Sequence, residues 1–245
     1  MNLKRFFIFC LIILFLGLIS IYYPNLTGKS LKNPEAFLIE NASVIRIIDG
    51  DTIETDNGTI RFLGINTPEK NKPYYQEAKD FLYLLENKTI QMIRDSEDLD
   101  KYQRKLRYVF YNNELINIKI LENGLGTSFM TENLRYEKKL KKAEDYARKN
   151  KKALWKESND VCEKCIELQE LDFEQEFFII KNNCNFECDL SEWFVKDNAN
   201  HFFKLEKLKA NQIKKYESKQ NVWNNLGDRF FMRDGQGGLV IFYEY

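Results

Sequence analysis

Asp49-Gly50-Asp51-Thr52, then Arg61, then Asn66-Thr67-Pro68-Glu69, then Lys101-Tyr102-Gln103-Arg104 form a series of groups suited to phosphate chemistry. A phosphodiester is anionic and its transition state more so, so its cleavage needs charge neutralisation and a placed nucleophile. Asp51 and Asn66 can bring oxygen ligands to one cation from different strands. The Thr67 carbonyl completes the set, and Asp49 acts directly or through a water. All-oxygen ligation suits Ca2+ or Mg2+ and excludes metals that prefer thiolate or imidazole. Arg61 and Arg104 each offer a planar fork for two phosphate oxygens and stay charged at any relevant pH. Glu69 is a candidate for activating the attacking water, with Pro68 fixing the backbone beside it. Alone, Asp-Gly-Asp reads as a hairpin turn; the arginines and the glutamate downstream turn it into a site.

These groups must be held by short strands. Val44, Ile45, Ile47 and Ile48 read as a strand, Thr52-Ile53-Glu54-Thr55 as a second, and residues 59–63 as a third across an Asn57-Gly58 turn, a strong hairpin signal. Two more strands are expected at 89–93 and 105–111. Helices are expected at 75–85, at 116–123 with Gly124 as a left-handed cap, and at 132–152 with Leu140, Ala143, Ala147 and Leu154 facing inward. Arg107 lies three residues beyond Arg104 and should face the other way, with no part in the chemistry.

The order Asp49-Gly50-Asp51-Thr52, Arg61-Phe62-Leu63-Gly64-Ile65-Asn66-Thr67-Pro68-Glu69, Lys101-Tyr102-Gln103-Arg104 resembles the staphylococcal nuclease (thermonuclease) family over about residues 43–155. The resemblance implies an OB-fold barrel of five strands with inserted helices. It implies a Ca2+ cofactor, with Mg2+ as the second choice, and phosphodiester hydrolysis of DNA, RNA or both that leaves 3′-phosphates. Arg61, Glu69 and Arg104 then carry the catalysis, and Asp51, Asn66, Thr67 and Asp49 hold the metal. Tyr102, Lys101, Lys70 and Lys72 are expected to contact substrate. This chain departs from the family twice. Asn66 stands where the family has a carboxylate, so the metal set carries one negative charge fewer, and Gln103 fills a position often held by glycine.

The remainder of the chain has its own signals. From Cys162 onward, apolar runs separated by turns argue an antiparallel sandwich without strong helix signals. Asp189-Leu190-Ser191-Glu192-Trp193-Phe194-Val195-Lys196-Asp197, Val222-Trp223-Asn224-Asn225-Leu226-Gly227-Asp228 and Asp234-Gly235 resemble the lamin-tail family, which implies an immunoglobulin-like β-sandwich. The stretch between Leu208 and Asn221 is short for that family. Cys162, Cys165, Cys184 and Cys188 form two close pairs, a spacing open to disulfides, a structural zinc site or free thiols. His201, the one histidine, reads as a strand residue.

Ahead of all this, Lys4-Arg5 precedes an uncharged run of 18 residues, 6–23, which as a helix would span roughly 27 Å. That is a signal anchor, or a cleaved signal peptide, with the body on the extracytoplasmic side by the positive-inside bias. The expected layout is therefore an anchor at 1–24, a tether at 25–41, a nuclease-like barrel at 42–157 and a sandwich at 162–245. The formal charge is zero, yet residues 41–156 carry 22 Lys/Arg against 18 Asp/Glu, and residues 157–245 carry 11 against 17. The basic surplus accompanies the candidate chemistry, as a polyanion binder requires. The expected whole is a β-rich two-domain phosphodiesterase, anchored to a membrane through 6–23, with an unassigned ligand for its C-terminal part. Two rivals remain: a nucleic-acid binder without turnover, and an envelope adhesion or scaffold protein whose purpose is the sandwich.

Overall fold

Strand β1 (Glu40–Ile47) buries Ala42, Val44 and Ile47, and its alternation breaks where Ile45 and Arg46 are both exposed. That break coincides with a register shift between Val44 and Arg46. Such a bulge bends the strand, so β1 pairs with β2 (Thr52–Thr55) at one end and with β5 (Thr89–Ile93) at the other. The expected hairpin joins β2 to β3 (Gly58–Phe62), with Gly58 at φ 99° in the turn. Strand β6 (Lys105–Tyr111) pairs antiparallel with β5 and parallel with β3. The ring β1-β2-β3-β6-β5 is therefore a closed five-stranded, OB-like barrel. Ile53, Ile60, Phe62, Met92 and Tyr108 fill it at 0% exposure; each such apolar side chain contributes about 1.5–3 kcal/mol.

The computed structural model describes residues 39–130, 134–225 and 227–245. The apolar run at 6–23 and nearly all of the tether lie outside these residues. Among the described residues no helix is long and apolar enough to cross a membrane.

Short strands and helices dress the barrel. Strand β4 (Ile65–Asn66) pairs with β8 (Thr127–Ser128), and β7 (Glu114–Leu115) caps β6. Helix α1 (Tyr75–Phe81) runs into a 3-10 turn, and α2 (Ile116–Glu122) ends at Asn123 before Gly124 at φ 69°. Helix α3 (Glu137–Lys149) is shorter than the expected 132–152. The N–H of Arg135 is given to Asp95, and Lys151 and Ala153 take left-handed backbone, which stops the helix before Leu154. Leu140, Ala143 and Ala147 face inward as expected.

The C-terminal part consists of two antiparallel sheets. One has the order β13-β10-β9, from β9 (Ile166–Asp172), β10 (Phe177–Asn182) and β13 (Ile213–Glu217). The other runs β12-β11-β14-β15, from β11 (Phe194–Lys196), β12 (Phe202–Lys204), β14 (Arg229–Arg233) and β15 (Leu239–Glu244). Phe178, Ile180, Val195, Phe230 and Met232 meet in one core with Trp193 and Trp223. The four cysteines are paired as disulfides, Cys162 with Cys188 and Cys165 with Cys184. Strands β9 and β13 escape the sequence pattern because charged residues take outward positions: Glu167 and Glu170 on one, Lys215 and Glu217 on the other.

Barrel and sheets belong to one compact unit, residues 39–245. Ala147 and Trp155 pack against Phe231, with Leu239 and Phe242 at the margin. Arg229 of β14 reaches both carboxylate oxygens of Glu144 on α3 at 2.9 Å, and Glu144 also accepts from the Ser128 N–H at 2.9 Å. The Arg233 guanidinium, 2% exposed, donates to the Leu154 carbonyl.

Candidate active site

The acidic loop between β1 and β2 can close only because residue 50 is glycine. A Cβ there would stand 2.6 Å from the Ala78 Cβ and 2.8 Å from Thr67 Oγ1. This close approach seats Asp51, 7% exposed, against Thr67: Asp51 Oδ2 accepts the Thr67 N–H at 2.9 Å and its hydroxyl at 3.0 Å. Asp49 Oδ1 accepts the Asp51 N–H at 3.1 Å. Burial and the neighbouring Asp51 charge push the Asp49 carboxyl up to about 6.

The facing segment is fixed from below. Asn117, fully buried, accepts the Val109 N–H and donates to the Leu63 carbonyl, both at 2.9 Å, which ties α2 to β6 and to the turn before Asn66. Asn66 itself sits in the β4–β8 ladder opposite Thr127. Arg61, on β3, then spans the two sides. Its Nη2 lies 3.2 Å from Asp51 Oδ2 and 2.5 Å from Asn66 Oδ1, while Nη1 donates to the Phe62 carbonyl at 2.6 Å. A cation thus already rests on the oxygens expected to hold a metal. The donor set of two carboxylates, an amide oxygen and a nearby carbonyl fits a hard divalent ion.

Arg104 approaches from the turn after Asp100. Its Nε donates to Asp100 Oδ2 at 2.7 Å, and its Nη1 reaches Thr52 Oγ1 at 3.5 Å. Burial opposes ionisation of Asp100, but hydrogen bonds from the Arg104 backbone and side chain hold its carboxyl below the usual range. Asp100 is a partner that sequence reasoning missed; the i,i+4 spacing to Arg104 was its one visible signal. Tyr102 is 67% exposed, with the Lys101 ammonium 5.1 Å and the Arg104 guanidinium 5.3 Å from its ring centre, so it offers an open face flanked by charge. Gln103 has φ 64°, a left-handed conformation costing a side-chain-bearing residue about 1–2 kcal/mol. Glycine avoids that cost but loses roughly 0.5–1 kcal/mol of chain entropy. Gln103→Gly should therefore raise stability by about 0.5 kcal/mol, seen as a higher urea midpoint at unchanged slope.

Glu69 and Lys70 are exposed at the end of the same segment. Lys72 turns toward the C-terminal sheets, its ammonium 4.7 Å from the Phe194 ring centre and 4.3 Å from that of Phe202. Burial, with Lys204 nearby, holds its pKa below the usual lysine range. Arg107 faces away from the site as expected, but it is not idle: 2% exposed, it pairs with Glu40 at 2.8 Å and Asp98 at 2.6 Å. His201 lies one residue before β12, its Nδ1 2.7 Å from Asp197 Oδ2.

One set of neighbours carries no signal in the sequence. Asn66 Nδ2 donates to the Asn198 carbonyl at 3.0 Å, and Asn200 Nδ2 lies 3.2 Å from Glu69 Oε1 and 3.5 Å from the Thr67 carbonyl. Both asparagines belong to the loop between β11 and β12, more than 130 residues along the chain.

A family model described as staphylococcal nuclease homologue matches residues 59–157. The chain is 36% identical over 124 residues to a thermonuclease of Staphylococcus hyicus, covering 46% of this chain and 73% of the relative. It is 32% identical over 145 residues to a thermonuclease of Staphylococcus intermedius, covering 54% and 86%. An SPbeta prophage-derived endonuclease YokF of Bacillus subtilis is 34% identical over 133 residues, covering 49% of this chain and 45% of the relative.

Proposed function

This chain belongs to the staphylococcal nuclease family and is a nuclease, and from that premise we propose that it hydrolyses DNA, and RNA as well, with Ca2+ as cofactor and Mg2+ as the alternative. The observation that carries the reading is Arg61 bridging Asp51 and Asn66. One guanidinium joins the two oxygen donors that the sequence assigns to a metal, within a barrel loop that also ends in Glu69.

Asp51, Asn66 and the Thr67 carbonyl would hold the cation, with Asp49 beside them; bound there, it supplies Lewis-acid charge for a phosphate oxygen. The chain's own groups do the rest. Glu69 takes the proton of the attacking water, whose oxygen forms the new bond to phosphorus. Arg61 and Arg104 follow the negative charge as phosphorus becomes five-coordinate. The 5′-oxygen then leaves, taking a proton from solvent, and a 3′-phosphate remains. Tyr102 stacks on a base, worth about 1–3 kcal/mol, with Lys101 and Lys70 near the backbone.

We place the enzyme outside the cytoplasm, anchored through residues 6–23 or released after cleavage. The paired cysteines support an oxidising compartment, where disulfides persist. Two antiparallel sheets over one core support an immunoglobulin-like sandwich of the lamin-tail kind.

The test is degradation of single-stranded DNA with Ca2+, with Mg2+ and with chelator. Cleavage in Ca2+ should vanish on chelation and fall by roughly a hundredfold or more in Glu69→Ala. Cleavage in Mg2+ alone would keep the nuclease and revise the metal. Binding without cleavage under every condition would sink the catalytic reading.

A further inference from the structure

The loop between β11 and β12 stands against the nuclease groups, and its construction is stiff. Only residues 197–201 separate the two paired strands. Asp197, fully buried, accepts the His201 N–H at 2.7 Å across the loop, and the Asn198 N–H is held by Asp228 at 3.1 Å. Asn200 has φ 69°, a left-handed backbone that asparagine tolerates better than most residues.

The direction of the Asn200 amide follows from chemistry. Lys196 Nζ, 8% exposed as a residue, lies 2.8 Å from Asn200 Oδ1 and 3.1 Å from the Asp197 carbonyl. Burial and the Arg233 charge bring the Lys196 pKa down to about 7, and either protonation state can donate both bonds. The amide oxygen therefore faces Lys196, which leaves the Asn200 nitrogen aimed at Glu69 Oε1 and the Thr67 carbonyl. An isolated glutamate on an exposed loop samples many rotamers. Here one of its oxygens is tied to the β11–β12 hairpin, whose own buried Lys196, at the end of β11, holds the amide from behind.

We propose that Asn200, oriented by Lys196, is a positioning residue for Glu69, so that the C-terminal sandwich forms part of the nuclease site. The inference rests on the assignment of Glu69 as the group that activates water. Asn200 touches no reacting atom; it fixes which way the carboxylate points. The unusual Asn66 belongs to the same arrangement, because its amide nitrogen has a carbonyl to meet at Asn198. A carboxylate in that position would set oxygen against oxygen.

Two substitutions in the full chain test this. Asn200→Gly keeps the left-handed backbone and deletes the amide. Asn200→Asp keeps the shape and the bond from Lys196 but presents an acceptor to Glu69. With a single-stranded oligonucleotide at saturating Ca2+, kcat should fall roughly tenfold in Asn200→Gly and about a hundredfold in Asn200→Asp, with KM within about twofold. The thermal midpoint of each should stay within about 4 °C of the parent. Unchanged or increased kcat in both variants, beside a parent that cleaves, overturns the proposal. So does a loss of activity that tracks a large fall in the thermal midpoint, which makes Asn200 merely structural. A parent that does not cleave in Ca2+ or Mg2+ defeats the assignment of Glu69, and the proposal with it, and that result is told apart by the parent alone.

Discussion

Arg61→Lys is expected to lower turnover of single-stranded DNA by roughly a hundredfold or more, the range set by loss of one well-placed charge-stabilising group. Arg61 meets three acceptors on three segments: Asp51 Oδ2, Asn66 Oδ1 and the Phe62 carbonyl. A planar fork can do that in one orientation. A lysine ammonium is a compact point charge on a flexible stem and can satisfy the same set only in part. The side chain is 13% exposed, so water is a poor replacement for the bonds that are lost. On the proposed role of Arg61 in following charge onto the phosphate, kcat and kcat/KM should fall together while KM moves little. A lysine variant retaining more than about a tenth of the parent turnover would mean that positive charge alone suffices there and the fork geometry does not matter.

Arg229→Leu is expected to cost about 3–5 kcal/mol of stability, the range for breaking one side of a buried ion pair. Glu144 is 3% exposed and receives both 2.9 Å contacts of the Arg229 guanidinium. Without the arginine, a carboxylate stays buried with only Ser128 to satisfy it. The double variant Arg229→Leu/Glu144→Leu should recover only part of the loss, because no charge remains to desolvate but the buried Ser128 N–H and hydroxyl lose their acceptor. Urea unfolding of the disulfide-intact chain reads both outcomes. A single variant that loses less than about 1 kcal/mol would mean that the pair is solvated and does not bind α3 to β14.

The barrel was legible because its signals are local. The Asn57-Gly58 hairpin, the apolar alternation of β5, and the glycine after α2 each fix a few neighbouring residues. That Asp51, Arg61 and Asn66 would meet was legible for the same reason, since they lie within one short segment. What could not be read are contacts between distant parts of the chain. Glu144 looks like one more charge on an amphipathic helix until Arg229 is seen opposite it. Asn200 takes the left-handed backbone of a turn, while its amide finds a partner 131 positions away. The odd amide at 66 was visible, but its partner is a main-chain carbonyl, a group that every residue carries and that no pattern marks.

That bond from Asn66 to the Asn198 carbonyl bears on how such a chain can change over generations. In a modular architecture, either part can be exchanged by recombination without regard to the other. Here the identity of residue 66 and the path of a hairpin in the second part are matched. A crossover that imported a barrel with a carboxylate at this position would set two oxygens against each other beside Arg61. Residue 66 and the path of that hairpin are therefore expected to change together, since a substitution acceptable in a lone barrel meets a fixed carbonyl once this partner is attached.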